Sequence, residues 1–143
     1  MKKIFFVCLL LLSTAVSKAQ NKVTDTQAIS MLRKFYTAYI TTVANDQSRI
    51  MNEKLSLLKS QYCTKKVLVK IPKIVEQTDS DPFLKAQDSD VSVLKTLSIT
   101  RNFKKPNLYT VFYSFKNEFS NEKIIINLVV INQNGSLKID NIL

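Results

Sequence analysis

The segment IIINLVVINQNGSLKI, residues 124–139, gives the clearest indication of the fold. It opens with an almost continuous apolar run, interrupted only by Asn127, which is typical of an inner strand with both faces partly covered. Asn134-Gly135 follows as the strongest turn signal in the chain, because a two-residue hairpin loop often requires a positive φ at both positions. Apolar residues after the turn, ending near Ile142, complete a predicted antiparallel hairpin.

Two earlier segments show the two-residue period of a strand. Apolar side chains alternate with hydroxyl side chains over residues 91–103, where Phe103 is the last apolar position, and the alternation returns over residues 109–115. Lys105-Pro106-Asn107 predicts the turn between these segments, and residues 117–122 predict the next one. With the hairpin, they predict a four-stranded antiparallel meander.

The residues before this sheet have helical periodicity. Apolar side chains recur at spacings of three and four over residues 25–43, and Ser48 can cap a second helix with the same spacing. Thr64 opens a third helix, which Pro72 is expected to kink or end because proline lacks a backbone donor. Helices that precede an antiparallel sheet predict an α+β fold, with the first helix across one face of a curved four-stranded meander.

The first residues have the three parts of a secretory signal. Lys2 and Lys3 give a positive start, residues 4–12 are an unbroken apolar run, and Ser17-Lys18-Ala19 offers small residues before a cleavage site. We therefore expect residues 1–19 to be a cleaved signal peptide.

The same segment argues against a membrane anchor. A spanning helix needs about 20 apolar residues, and this run is shorter. Cys8 has too little chain before it to be a lipoprotein cysteine. The expected product is a single domain, residues 20–143, that is periplasmic or secreted and has no stable membrane anchor. Cys63 is then its lone cysteine, without an internal disulfide, expected to be buried at the end of a helix.

The composition excludes several classes of site. The chain has no His, one Gly and two Cys. A Ser-His or Cys-His nucleophile pair cannot form, and a tetrahedral zinc shell lacks its ligands. A glycine-rich phosphate loop is excluded as well. We expect no catalytic residue of these classes, no metal site and no cofactor.

The net charge limits the partners. Lys and Arg number 21 against 11 Asp and Glu, a formal charge of +10. In a cytosolic protein this excess would suggest nucleic acid, but export argues against that partner. An acidic envelope protein or another anionic envelope ligand remains open, as does a basic surface that is merely well solvated.

An acidic segment, residues 79–90, joins the predicted helices to the sheet. It has too few ligand positions for a calcium loop, because Phe83 and Lys85 stand where ligands are needed and no Gly supplies the sharp turn. One interpretation makes Asp81 or Asp88 a general base in an apolar cavity, with Tyr36 or Tyr39 donating to a developing oxyanion.

The other interpretation of this segment is architectural. Its Asp side chains would accept backbone donors, and an apolar pair would plug the core beneath. In either case the candidate binding or structural motif consists of Asp81, Pro82, Phe83, Gln87 and Asp88.

Three motifs carry a family resemblance. They are Phe35-Tyr36-x-x-Tyr39, Tyr62-x-Thr64 and Asp81-Pro82-Phe83-Leu84-x-Ala86-Gln87-Asp88. An exported chain with these motifs before a meander resembles a bacterial envelope family of unknown function, the domain-of-unknown-function family 3828. The resemblance implies an envelope protein with a cystatin-like or nuclear-transport-factor-2-like fold, a curved sheet around a helix. It implies no reaction and no catalytic residue.

Three functional hypotheses follow. The first is an exported, non-enzymatic binding or interaction module of the cell envelope, since the chain is poor in catalytic side chains. The second is a small enzyme of the cone-shaped fold that uses an Asp base and a Tyr donor in one pocket. The third is an immunity protein against an exported toxin.

Overall fold

Three α-helices precede four antiparallel strands in the computed structural model, which describes residues 24–116 and 121–143. The predicted signal peptide and part of the turn predicted at 117–122 lie outside the described residues. The helices are α1 (Asp25–Asn45), α2 (Ser48–Tyr62) and α3 (Lys65–Thr78), and a 3-10 helix follows at Val91–Lys95. The strands are β1 (Ser98–Arg101), β2 (Leu108–Lys116), β3 (Asn121–Gln133) and β4 (Ser136–Ile142), in that order across the sheet. The predicted α+β class and the four-stranded meander are confirmed.

Helix α1 provides the apolar face on which the fold is built. Thr24 caps it, because its hydroxyl accepts a hydrogen bond from the backbone nitrogen of Gln27 at 3.3 Å. Side chains at helical spacing then bury one face, and α1 packs against α2 and β1. The buried positions of this face include Ala28, Leu32, Phe35, Tyr36, Tyr39 and Ile40.

One predicted helix boundary is wrong, and of the two effects predicted for Pro72, a kink or an end of the helix, the second does not occur. Ser48 is the first residue of α2, and Gln47 occupies the capping position without a side-chain hydrogen bond. Pro72 does not end α3, which continues to Thr78. Proline has no backbone N–H to donate within the helix, and packing of the buried face of α3 offsets that lost hydrogen bond. The helix ends where Asp79 adopts a left-handed conformation with φ 50°.

The strand predicted over residues 91–103 is wrong for most of its length. Asp90 accepts a hydrogen bond from the backbone nitrogen of Ser92 at 2.7 Å and so caps the 3-10 helix that replaces the strand. Val93 is buried from within this helix. Only Ser98–Arg101 are paired with β2, and Phe103 lies in the following turn with 86% of its surface exposed.

The closing hairpin is as predicted. Asn134 and Gly135 have φ values of 53° and 83°, the positive pair that a tight two-residue turn requires. A register shift occurs between Val129 and Val130, so that Asp140 is the extra residue on β4. The shift allows Ile139 and Ile142 both to face the core although an even alternation would separate them.

The core lies between the helices and one face of the sheet. Cys63 is buried directly after α2, as predicted, and the backbone nitrogen of the next residue, Thr64, donates to the Ile139 carbonyl at 2.9 Å. Between residues 24 and 116 and from 121 onward, no helix has the length and hydropathy needed to cross a bilayer.

Candidate functional site

Asp81 organises the segment between α3 and the sheet. One carboxylate oxygen, Oδ1, accepts from the backbone nitrogens of Phe83 at 2.8 Å and Leu84 at 3.2 Å. The other, Oδ2, accepts from the Tyr39 hydroxyl at 2.5 Å. Its backbone nitrogen donates to the Ala86 carbonyl at 3.0 Å. Both carboxylate oxygens are therefore engaged within the protein, and they tie the segment to α1.

The other acidic residues of the segment make local contacts. Gln87 donates through Nε2 to the Asp79 carbonyl at 3.1 Å and to the Asp79 carboxylate at 2.8 Å. Asp88 is exposed and accepts from the backbone nitrogen of Ser89 at 2.7 Å. Hydrogen bonds from Ser92 lower the pKa of Asp90, which favours the charged cap. These contacts favour the architectural interpretation of the segment.

The motif also supplies part of the core. Pro82, Phe83 and Leu84 are all buried. The Phe83 ring lies 5.0 Å from the Phe35 ring and 5.4 Å from the Tyr39 ring, centroid to centroid. The Tyr113 hydroxyl donates to the Leu84 carbonyl at 2.6 Å, which joins the segment to β2.

The two tyrosines considered as donors to a developing oxyanion lie in different environments. Burial, helped by the Asp81 carboxylate, raises the pKa of the Tyr39 hydroxyl, which already donates to Asp81. Burial also raises the pKa of Tyr36, whose hydroxyl has no hydrogen-bond partner among the described residues. The Asp81–Tyr39 contact brings together one carboxylate and one tyrosine of the enzymatic hypothesis, while Asp88 stays apart at the surface.

Cys63 places a thiol in the interior formed by the described residues. Burial raises the pKa of Cys63 to about 12, although Lys59 and Lys138 act in the opposite direction. The thiol is consequently protonated at neutral pH, and a protonated buried thiol is a poor nucleophile.

A groove with a volume of about 370 Å³ opens beside the motif, between α3, the acidic segment and the end of β4. It is lined by two lysines, two hydroxyl residues and four apolar residues: Lys70, Lys85, Thr78, Ser80, Ile74, Pro82, Ile142 and Leu143. Among the residues that the structure describes, no Asp or Glu side chain lines it. Neither this groove nor two others along α1 is lined by Asp81, Tyr36 or Tyr39.

The two lysines of the groove are held differently. The Lys70 ammonium donates to Asn141 Oδ1 at 2.9 Å and to the Ile142 carbonyl at 3.1 Å, so α3 and β4 fix its position. Lys85 is exposed, and its backbone has a φ of 52° within the turn that Asp81 organises. Its backbone nitrogen donates to the Asp81 carbonyl at 2.7 Å, which fixes the base of its side chain at the groove.

Sequence reasoning found only part of this groove. Pro82 belongs to the predicted motif, whereas Lys70 enters the sequence analysis only through the net charge of the chain. Ile142 lines the groove because β4, at the carboxyl end of the chain, packs on α3. A contact between segments so far apart in the sequence leaves no local sequence pattern.

A second polar cluster ties α1 to the sheet. The Arg101 guanidinium donates to Asp25 Oδ2 at 2.7 Å, and the Tyr109 hydroxyl donates to Asp25 Oδ1 at 3.1 Å. Burial and the Asp25 hydrogen bond raise the pKa of Tyr109 to about 12. In residues 24–116 and 121–143, no three His, Cys, Asp or Glu residues form a group that could hold a metal ion.

Comparison with known proteins gives one solved structure of similar fold. No family model matches this sequence, and no curated protein matches it. The crystal structure of a protein of unknown function from Bacteroides thetaiotaomicron matches with a TM-score of 0.75 and 30% sequence identity. The match covers 83% of this chain and 90% of that one. This similarity is consistent with the predicted cone-like arrangement.

Proposed function

We propose that this chain, which belongs to the same family as the Bacteroides thetaiotaomicron protein, is an exported, non-enzymatic binding module of the bacterial cell envelope. Its binding site is the groove beside the acidic segment. The ligand is an anionic molecule with an apolar part. The predicted signal peptide and the absence of His support the proposal at the level of sequence.

The chemistry of the groove lining carries the proposal. Lys70 and Lys85 place positive charge at a cleft whose walls include Ile74, Pro82 and Ile142, and no acidic side chain lies among them. A volume of about 370 Å³ falls in the lower part of the range of small-molecule sites, about 300–1,000 Å³. A carboxylate, sulfate or phosphate would face the lysines while its apolar part covers the aliphatic wall.

The contacts of Asp81 support binding over catalysis. A general base must reach the proton that it removes, and the Asp81 carboxylate is already occupied by Tyr39 and two backbone amides. The segment acts as the frame that positions Pro82 and Lys85 at the groove.

The test is binding of a fluorescent anionic probe, anilinonaphthalene sulfonate, followed by displacement with dodecanoate. We expect dodecanoate to displace the probe and dodecanol, which lacks the charge, to displace it poorly. Lys85→Glu should weaken probe binding by about tenfold, since it reverses a charge at the groove.

The matched control is Lys73→Glu, an exposed lysine of α3 that does not line the groove. Equal losses in both variants would show that the probe senses only net charge. Displacement by dodecanol as effective as by dodecanoate would also contradict the proposed anionic ligand.

A further inference from the structure

The turn between β1 and β2 presents an exposed aromatic residue beside two lysines. Residues 103–107, which we name the hairpin tip, are all exposed, and 86% of the Phe103 surface is accessible. A phenylalanine exposed to this degree keeps a large apolar area in water, which the hydrophobic effect disfavours. Lys104 and Lys105 follow it directly in the tip.

The hairpin tip is held in shape by its own hydrogen bonds. The backbone nitrogen of Asn102 donates to the Leu108 carbonyl at 2.8 Å and closes the turn. The Asn102 side chain accepts from the backbone nitrogen of Lys104 at 3.0 Å. At the other end, the Asn107 carbonyl accepts from the backbone nitrogen of Val130 at 2.9 Å, which fixes the tip to β3. The aromatic and cationic side chains therefore project from a defined turn.

Arg101 lies over one face of the Phe103 ring. Its guanidinium carbon lies 5.3 Å from the Phe103 ring centroid, within the range of a cation–π contact. The same guanidinium is paired with Asp25 at the start of α1. The chain therefore enters α1 at the end of the sheet where the hairpin tip lies.

We propose that the hairpin tip is a peripheral membrane contact that inserts Phe103 into the interface of an anionic phospholipid bilayer while Lys104 and Lys105 bind lipid phosphates. Aromatic side chains are favoured at the boundary between headgroups and acyl chains. Lysines at that boundary are attracted by the negative surface potential. The contact is distinct from the groove and does not depend on the groove's ligand.

The shape of the tip favours a bilayer over an acidic protein. A stable protein interface buries about 800 Å² on each partner, with an apolar centre surrounded by a polar rim. Here one aromatic residue projects from a run of exposed turn residues, and the two residues that follow it are lysines. A convex contact of this kind can penetrate a fluid interface without a complementary pocket.

The test is sedimentation of the purified protein with vesicles of equimolar phosphatidylglycerol and phosphatidylcholine, compared with vesicles of phosphatidylcholine alone. Binding is expected only to the anionic vesicles and should weaken as salt is raised. Each lysine near such a surface contributes about fivefold, so Lys104→Gln with Lys105→Gln should reduce binding about 25-fold. Phe103→Ser should reduce it by about tenfold or more.

Matched controls distinguish the tip from the general basic surface. Leu57→Ser removes an apolar side chain that is 69% exposed on α2, and Lys65→Gln with Lys73→Gln removes two exposed charges from α3. These variants should bind as the unaltered protein does. All variants keep the same amino-terminal residues and should keep the same thermal unfolding temperature, so a difference in binding arises at the tip.

Failure of the unaltered protein to bind anionic vesicles would overturn the proposal, as would equal losses in tip and control variants. Retention on an immobilised acidic polypeptide, combined with no vesicle binding, would assign the tip to a protein partner instead. Probe binding at the groove is unaffected by any of these outcomes, so the two proposals fail separately.

Discussion

Replacing Asp81 with alanine should destabilise the fold much more than any other carboxylate change in the acidic segment. Asp81→Ala removes three hydrogen bonds to a charged group, at 2.5, 2.8 and 3.2 Å. It leaves the Tyr39 hydroxyl and the Phe83 backbone amide without their acceptor, whereas the Leu84 amide keeps the carbonyl of residue 81 at 3.2 Å. Hydrogen bonds to charged groups contribute about 1.5–3 kcal/mol each. Counting the two shortest contacts at the lower value, we expect a loss of about 3 kcal/mol in the free energy of unfolding.

Equilibrium unfolding in urea measures this loss, provided that the m-value, the slope of the free energy of unfolding against urea concentration, is the same in all variants. Asp88→Ala is the matched control, because Asp88 is exposed and its one described hydrogen bond is local. Its effect should stay within about 0.5 kcal/mol. Equal effects of the two substitutions would refute the architectural role of Asp81.

A double-mutant cycle isolates the contact with α1. Tyr39→Phe keeps the ring that packs on Phe35 and Phe83 and removes only the hydroxyl. The coupling energy between Tyr39→Phe and Asp81→Ala should reach about 1 kcal/mol or more. A coupling near zero would show that the 2.5 Å contact contributes nothing to the link between the segment and α1.

Three further predictions concern buried groups. Burial raises the pKa of Tyr36 and Tyr39, so the folded state keeps protons that the unfolded state releases above about pH 10. The free energy of unfolding should therefore keep its full value below that pH and fall above it. Urea unfolding that shows no loss of stability at alkaline pH would contradict this prediction. Tyr36→Phe removes a hydroxyl without a described partner, so it should raise the free energy of unfolding near neutral pH by about 1 kcal/mol, whereas a loss of that size would show that the hydroxyl is satisfied. The Cys63 thiol, with its pKa raised to about 12, should react with iodoacetamide only on unfolding, and alkylation of the folded protein at the rate of a free thiol would contradict its burial.

The sequence predicts those elements of the fold that depend on interactions between neighbouring residues. Asn134-Gly135 predicts its turn because the backbone there needs positive φ. The two-residue period predicts β2, and the nearly continuous apolar run with the apolar residues after the turn predicts β3 and β4. The two-residue period gave a wrong prediction at residues 91–97, where it indicated a strand. The apolar spacing there also suits a 3-10 helix, and the capping contact between Asp90 and Ser92 selects the helix.

The candidate site was less accessible to sequence reasoning. The motif around Asp81 is visible because several acidic residues cluster within one segment, but its contact with Tyr39 depends on how α1 crosses the sheet. The spacing of Phe103 fits the alternation of the predicted strand. The chain turns before this residue, however, so its side chain is exposed to solvent. The groove depends on α3 meeting the end of β4, and the position of Lys70 depends on Asn141, far along the chain.

We propose that the acidic segment frames a binding groove and does not itself perform chemistry. Amide and methyl chemical-shift mapping during titration with dodecanoate is the test. We predict the largest shifts at Lys70, Ile74, Lys85 and Ile142, with saturation and with the Asp81–Tyr39 contact unchanged. Shifts centred on Tyr39 and Asp81, or no saturable shift at the groove, would contradict it.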